Sequence, residues 1–165
     1  MDSEFFPNSA SSVSSAFQFL MRDADLTHQI IGAAIDVHRE LGPGLLENVY
    51  EECLCHELSA RGIPFEKQKP IPVVYKGAKL DCGYRADIVV GGRVVVEIKA
   101  ISALAPIHDA VMLTYLRLSG SKIGLLINFH SALLKDGIHR YVWKYETPPA
   151  KETERRDTED AEKNA

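Results

Sequence analysis

The stretch from Arg85 to Ala100, RADIVVGGRVVVEIKA, constrains the fold of this chain more than any other. Two runs rich in β-branched residues flank Gly91 and Gly92, the composition of a hairpin whose strands bury their side chains. Yet the hairpin carries Asp87, Glu97 and Lys99. Side chains alternate along a strand, so Val94, Val96 and Ile98 share one face, and Val95, Glu97 and Lys99 share the other. Register decides where Asp87 falls. A two-residue Gly-Gly turn pairs Val90 with Arg93, sets Asp87 opposite Val96 and leaves Glu97 on the other face. A bulge, or a three-residue loop pairing Val90 with Val94, sets Asp87 opposite Glu97, and adjacent glycines permit the left-handed backbone such a turn needs. Two carboxylates that close repel unless a cation neutralises them. With a lysine beside them they form a hard-oxygen site suited to Mg²⁺. For a bare Glu-x-Lys the plainer alternative is a solvated strand face with a weak ion pair.

The elements around the hairpin point to an α/β fold. Thr27 is placed to cap a helix over HQIIGAAIDVHREL, in which Ile30, Ala34, Val37 and Leu41 recur at helical spacing. Gly42-Pro43-Gly44 ends it. A second amphipathic helix follows, with Leu46, Val49, Tyr50, Cys53, Leu54 and Leu58 on one stripe, and stops near Gly62. From Phe65 the texture becomes β: FEKQK, IPVVY, a turn at KGAK, LDCGYRADIVV, then RVVVEIKA. Pro106 opens a further helix that runs to a capping Gly120. KIGLLINF is a fully apolar strand and GIHRYVWKY a last one. A strand, a helix and an apolar strand in succession predict a crossover inside a mixed sheet flanked by helices.

Charge and composition set the domain limits. Residues 25–146 hold 14 basic and 14 acidic residues, and the net charge of −4 comes from the two ends. Asn8 to Ala16, Ser-rich, and residues 147–165, almost wholly polar, have little apolar surface to offset the entropy of ordering, so 1–24 and 147–165 are expected to be flexible extensions of one domain over 25–146, with the short apolar patch from Ala16 to Met21 a candidate to dock back on it. A neutral domain lowers the expectation of a broad nucleic-acid-binding face, although charge can still segregate to one side. No apolar run is long enough to span a bilayer and the N-terminus has no basic signal region, so a cytoplasmic protein without a membrane association is expected. Cys53 and Cys55 lie two apart in a helix, a poor clamp for a metal, and read as free thiols.

Asp87 followed after a hairpin by Glu97-x-Lys99 resembles the signature of the PD-(D/E)XK nuclease-like superfamily. GLLENVY (Gly44 to Tyr50) reads as G-x-x-E-x-x-Y. Together with LGPG, KQKPIPVVYKG, GYRAD, PIH and GLLINF it resembles the GxxExxY family of that superfamily, over about Leu26 to Val142. The resemblance implies a restriction-endonuclease-like αβββαβ core and a nuclease-like protein that hydrolyses phosphodiester bonds of DNA or RNA with Mg²⁺ or Mn²⁺. It further implies that Asp87, Glu97 and the helical Glu47 hold the metal, and that Lys99 orients or activates the attacking water.

Other positions carry weaker expectations. Glu47 also sits at a helix N-terminus, where the macrodipole alone favours a carboxylate. Tyr50, one turn on, is a core residue whose hydroxyl can orient Glu47. Arg85 should share the face of Asp87 and contact phosphate or pair with a carboxylate. Lys69, with Lys67, Lys76 and Lys79, is a candidate for a nucleic-acid groove, against the plain reading of solvated strand edges. His108 and Tyr115 support the site from the third helix. Exonuclease-like members of the superfamily carry Q-x-x-x-Y there, and the matching positions here are Val111 and Tyr115; a valine cannot hydrogen-bond a base or a lysine. Two functional classes follow: a metal-dependent nuclease, or a noncatalytic nucleic-acid- or protein-binding module that keeps the fold. Convergence of Glu47, Asp87, Glu97 and Lys99 in one cleft favours the first. A plain α/β domain with surface charges is the third alternative.

Overall fold

The structure, a computed structural model, describes residues 10–144. Eight main elements run in the order α1 (Ala10–Leu41), α2 (Glu47–Ala60), β1 (Phe65–Tyr75), β2 (Ala78–Val90), β3 (Val94–Lys99), α3 (Pro106–Ser119), β4 (Ile123–Asn128) and β5 (Ile138–Val142), with a short 3-10 turn before β5. From α2 to β4 this is the expected αβββαβ order. The strands form one five-stranded sheet in chain order, parallel between β3 and β4 and antiparallel elsewhere. A parallel neighbour needs a crossover, and α3 supplies it. Pro106 opens that helix, and Gly120, in a left-handed conformation at φ 74°, closes it by donating its N–H to the Leu116 carbonyl.

The sheet separates two cores. On one face Ile88, Val90, Val94, Val96, Ile98, Ile123, Leu125 and Ile127 pack under α1 and α2. On the other Val89, Val95 and Leu126 meet Met112, Tyr115 and Leu116 of α3. That contact is close: a Cβ at Gly124 would collide with the Met112 sulfur. Strands β3 and β4 are buried almost throughout, as strands covered on both faces must be.

Helix α1 departs from the sequence expectation. Thr27 lies inside it rather than at its start, and its hydroxyl donates to the Asp23 carbonyl one turn back at 2.7 Å. There is no break at residue 25, because Asp23 is buried and its carboxylate lies 3.5 Å from Arg93 in the β2–β3 loop. Asp23 thus packs with the domain, and α1 runs through residue 25 from Ala10; residues 1–9 and the tail from 145, on which parts of the expected extensions fall, lie outside the described residues. Helix α2 buries Tyr50, Glu51, Leu54, Cys55 and Leu58, while Leu46 and Val49 are exposed. The buried stripe is therefore shifted by one residue from the expected one, and Cys55 rather than Cys53 is the buried thiol, pushed up to about 11 by burial. FEKQK and IPVVY are one strand with a register irregularity between Ile71 and Val73.

Candidate active site

The site lies where β2 and β3 part. Their ladder pairs Val90 with Val94, Val89 with Val95 and Ile88 with Val96, leaving a three-residue loop of Gly91, Gly92 and Arg93. Both glycines adopt positive φ, 58° and 67°, which is what the longer loop demands of them. This register sets Asp87 across from Glu97. The ladder stops there, and the Asp87 carboxylate accepts the Ile98 N–H at 2.8 Å, in the place a β2 carbonyl would have held.

Four charges converge at this fork. Lys99 Nζ donates to Glu97 Oε1 at 2.9 Å and to the Ile98 carbonyl at 2.8 Å, and lies 3.6 Å from the Glu47 carboxylate at the first residue of α2. Glu97 is 7 % exposed and its Oε2 is buried without a hydrogen-bond partner. Burial, then the charge of Asp87, pushes the Glu97 carboxyl up to about 7, against the opposing pull of Lys99. Burial also raises Asp87, partly countered by the Ile98 N–H and by Lys99. For Lys99, burial acts to lower the pKa, but the bond to Glu97 and the charges of Glu97, Glu47 and Asp87 together raise it, so the ammonium is held. The cluster is short of positive charge. Two hard carboxylates with one orphaned oxygen fit a divalent cation in kind. Among the described residues no group of three or more His, Cys, Asp or Glu side chains gathers around one point, and Glu47 faces Lys99.

Two residues outside the Asp87, Glu97-x-Lys99 signature complete the fork. Gln68 of β1 donates through Nε2 to Glu51 of α2 at 2.8 Å and, longer, to Asp87 Oδ1 at 3.4 Å. Glu51 is buried and also 3.8 Å from Lys67. Gln68 has φ 50°, a left-handed backbone that costs a non-glycine residue about 1–3 kcal/mol. The ladder is interrupted at the same level, with Lys67 paired to Ile88 and Lys69 to Ala86 but no pair between. β2 changes face there: Ala86 packs on the α3 side while Ile88 packs under α1 and α2, although alternation would keep them together. The only sequence sign of this was a polar residue in the middle of a strand.

The same irregularity removes the alternation argument that put Arg85 on the face of Asp87. Alternation no longer ties it to the face of Asp87, and its exposed side chain makes no hydrogen bond or ion pair with the described residues. Lys69 pairs with Glu66 at 2.6 Å, near the strand's start. Tyr50 is fully buried, and its hydroxyl is not bonded to Glu47. Its hydroxyl donates to the Gly42 carbonyl at 2.6 Å and accepts the Leu45 N–H at 3.1 Å, because the Gly-Pro-Gly loop folds back over the ring. The ring stacks on Phe129 at 4.5 Å, and the Phe129 N–H bonds the Lys99 carbonyl at 2.7 Å. His108 accepts the Ala105 N–H through Nδ1 at 2.8 Å and so caps α3. Tyr115 donates to the Arg85 carbonyl at 3.2 Å, and burial, then Glu97 and Asp87, pushes its phenol up to about 12. Val111, one turn before it, packs against the α3-side core.

A sequence model of the PD-(D/E)XK nuclease superfamily matches residues 24–141, most of the chain. The chain belongs to that superfamily. No curated protein and no solved structure matches it. Its mixed sheet between helical layers is the restriction-endonuclease-like arrangement, and membership implies nuclease-like activity, divalent-metal chemistry and interaction with nucleic acid at the superfamily level. Among the described residues no helix is long and apolar enough to cross a membrane.

Proposed function

We propose that this PD-(D/E)XK protein, of the GxxExxY kind, is a cytoplasmic Mg²⁺- or Mn²⁺-dependent nuclease that hydrolyses phosphodiester bonds of DNA or RNA. The observation that carries the reading is the convergence of Glu47, Asp87, Glu97 and Lys99 at one fork, with the outer Glu97 oxygen buried and unpartnered. Asp87 and Glu97, with Glu47 beside them, would hold the metal. When bound, the ion would polarise a phosphoryl oxygen and make a water more acidic. Lys99, kept charged by its carboxylates, orients the water and meets negative charge that builds on the phosphate. Glu97 sets the height of that ammonium, and Asp87, tied to Ile98 and Gln68, keeps the two strands apart so that the fork stays open.

Cleavage of single- and double-stranded DNA and RNA with Mg²⁺ and Mn²⁺, comparing wild type with Glu97→Ala, tests this. Cleavage by wild type alone is the expected result. A second reading, a noncatalytic binding module, is favoured by Val111, which gives the fork no hydrogen bond from α3. It becomes the better one if wild type binds strands but neither protein cuts.

A further inference from the structure

The β1–β2 hairpin outruns the sheet. β3 pairs with β2 only over Ile88 to Val90, so from Ala78 to Arg85 the ladder partner of β2 is β1 alone. The ribbon turns at Lys76 and Gly77, φ 48° and 81°, a two-residue loop whose twist suits the strands. A two-stranded ribbon is marginal in water unless something packs on it. This one nonetheless exposes large apolar side chains: Val74 is 63 % and Tyr75 60 % exposed, with Leu80 and Tyr84 also exposed.

The same ribbon concentrates positive charge in an otherwise neutral domain. Residues 69–85 contain Lys69, Lys76, Lys79 and Arg85 against the single acidic residue Asp81. Lys69 is paired with Glu66, but Lys76, Lys79 and Arg85 have no carboxylate partner among the described residues. Lys76 Nζ instead lies 5.4 Å from the centre of the Tyr75 ring. The ribbon is rooted at the fork: the Tyr84 ring meets Tyr115 edge-on at 5.7 Å, and Tyr115 holds the Arg85 carbonyl two residues before Asp87.

We propose that this ribbon is a clamp for single-stranded nucleic acid, with a base stacked on Tyr75 and backbone phosphates on Lys76, Lys79 and Arg85, leading the strand toward the fork. An unstacked base offers the π-face that an exposed tyrosine can use. Lys76 follows Tyr75 in the turn, and Lys79, paired with Val74 and so on the other face, offers its charge to phosphates that wrap the narrow ribbon. A duplex presents its phosphates but hides its base faces, and leaves Tyr75 idle. An apolar protein partner would desolvate three cations without compensation. The clamp deepens the nuclease reading and takes from it only the destination of the bound strand.

Fluorescence anisotropy of the full chain with a labelled single strand of roughly 16 nucleotides, in EDTA so that binding is separated from cleavage, tests the clamp. Single strand should bind more tightly than duplex of the same sequence at equal salt. Tyr75→Ala should weaken it about 10-fold. Lys76→Gln with Lys79→Gln should lower the slope of log affinity against log salt by about 1.4. These side chains are solvent-facing, and circular dichroism confirms that each variant is folded. Preference for duplex, or variants that bind as wild type does, overturns the clamp. If the strand binds as expected but wild type cuts nothing with Mg²⁺ or Mn²⁺, the clamp stands and the nuclease reading falls. If wild type cuts and the ribbon variants cut with unchanged KM, the clamp falls and the nuclease reading stands.

Discussion

The two ends of the β2–β3 hairpin are built from neighbouring residues and obey opposite rules. At the closed end Val89, Val90, Val94, Val95 and Val96 are buried on both faces, the loop is fixed by two left-handed glycines, and Leu26 of α1 lies against Gly91. At the open end the ladder has stopped, carboxylates crowd together, and Glu97 keeps a buried oxygen without a hydrogen bond. The first arrangement lowers free energy by excluding water from apolar surface; the second raises it by desolvating like charges. The difference teaches that the closed end supplies the stability and register with which the open end can be held in an unfavourable state. Fold and chemistry should therefore separate on mutation.

The largest expected effect is on activity. Lys99→Ala should reduce kcat by about 10³-fold or more, with a smaller loss of stability from the released Ile98 carbonyl and from buried carboxylates left without their cation. A matching collapse of stability would break the contrast. Next comes pH. Glu97 has its pKa raised from 4.5 to about 7, so its protonated form is favoured by folding; the metal-free protein should lose stability as pH rises from about 4.5 to 7, on the order of 3 kcal/mol, and level off above. Asp87, also raised, acts in the same direction from its ordinary 3.8, and Lys99, raised above 10.5, contributes a stability that is constant across this range and is lost only above 10.5. Urea titrations in EDTA across that range, with Glu97→Gln as the flat control, check the sign, and Mg²⁺ should restore the stability lost at the upper end.

At the closed end Val94→Ala should cost about 2 kcal/mol through lost burial and an unfilled cavity, and leave the divalent-ion affinity measured by calorimetry unchanged. The smallest effect is expected for Asp87→Asn. The amide oxygen can still accept the Ile98 N–H and one like charge is gone, so stability should stay within about 1 kcal/mol of wild type or rise, while divalent-ion binding is lost. Unfolding of this variant would make Asp87 part of the closed end's structural account.

Much of this was legible in local sequence. Pro106 and Gly120 bracket α3, the apolar runs give β3 and β4, and two glycines together permit the three-residue loop that sets Asp87 across from Glu97. What escaped depended on distant partners. The start of α1 is not at Thr27 because Asp23 is buried toward Arg93, some seventy positions away in the chain and visible only once the hairpin is in place. Gln68, although it lies in the KQKPIPVVYKG segment, and Glu51 were not marked as site residues, and their meeting requires a strained residue and a break in a ladder. Tyr50 is three positions from Glu47, which by helical spacing alone brings its hydroxyl toward the glutamate. The loop before α2 folds back and takes the hydroxyl instead.

That tyrosine gives the G-x-x-E-x-x-Y segment a mechanical meaning. Its hydroxyl grips the loop on both sides of Gly44, its ring rests on Phe129, and Phe129 in turn holds the main chain of Lys99. Glu47 and Lys99 arrive at the fork on separate elements, yet both are levelled against one aromatic stack, as two instruments are aligned on a shared bench. The elements that carry the carboxylate and the ammonium thus share one rigid support. Tyr50→Phe keeps the stack and releases the grip, so it should loosen Glu47 relative to Lys99 without unseating either element.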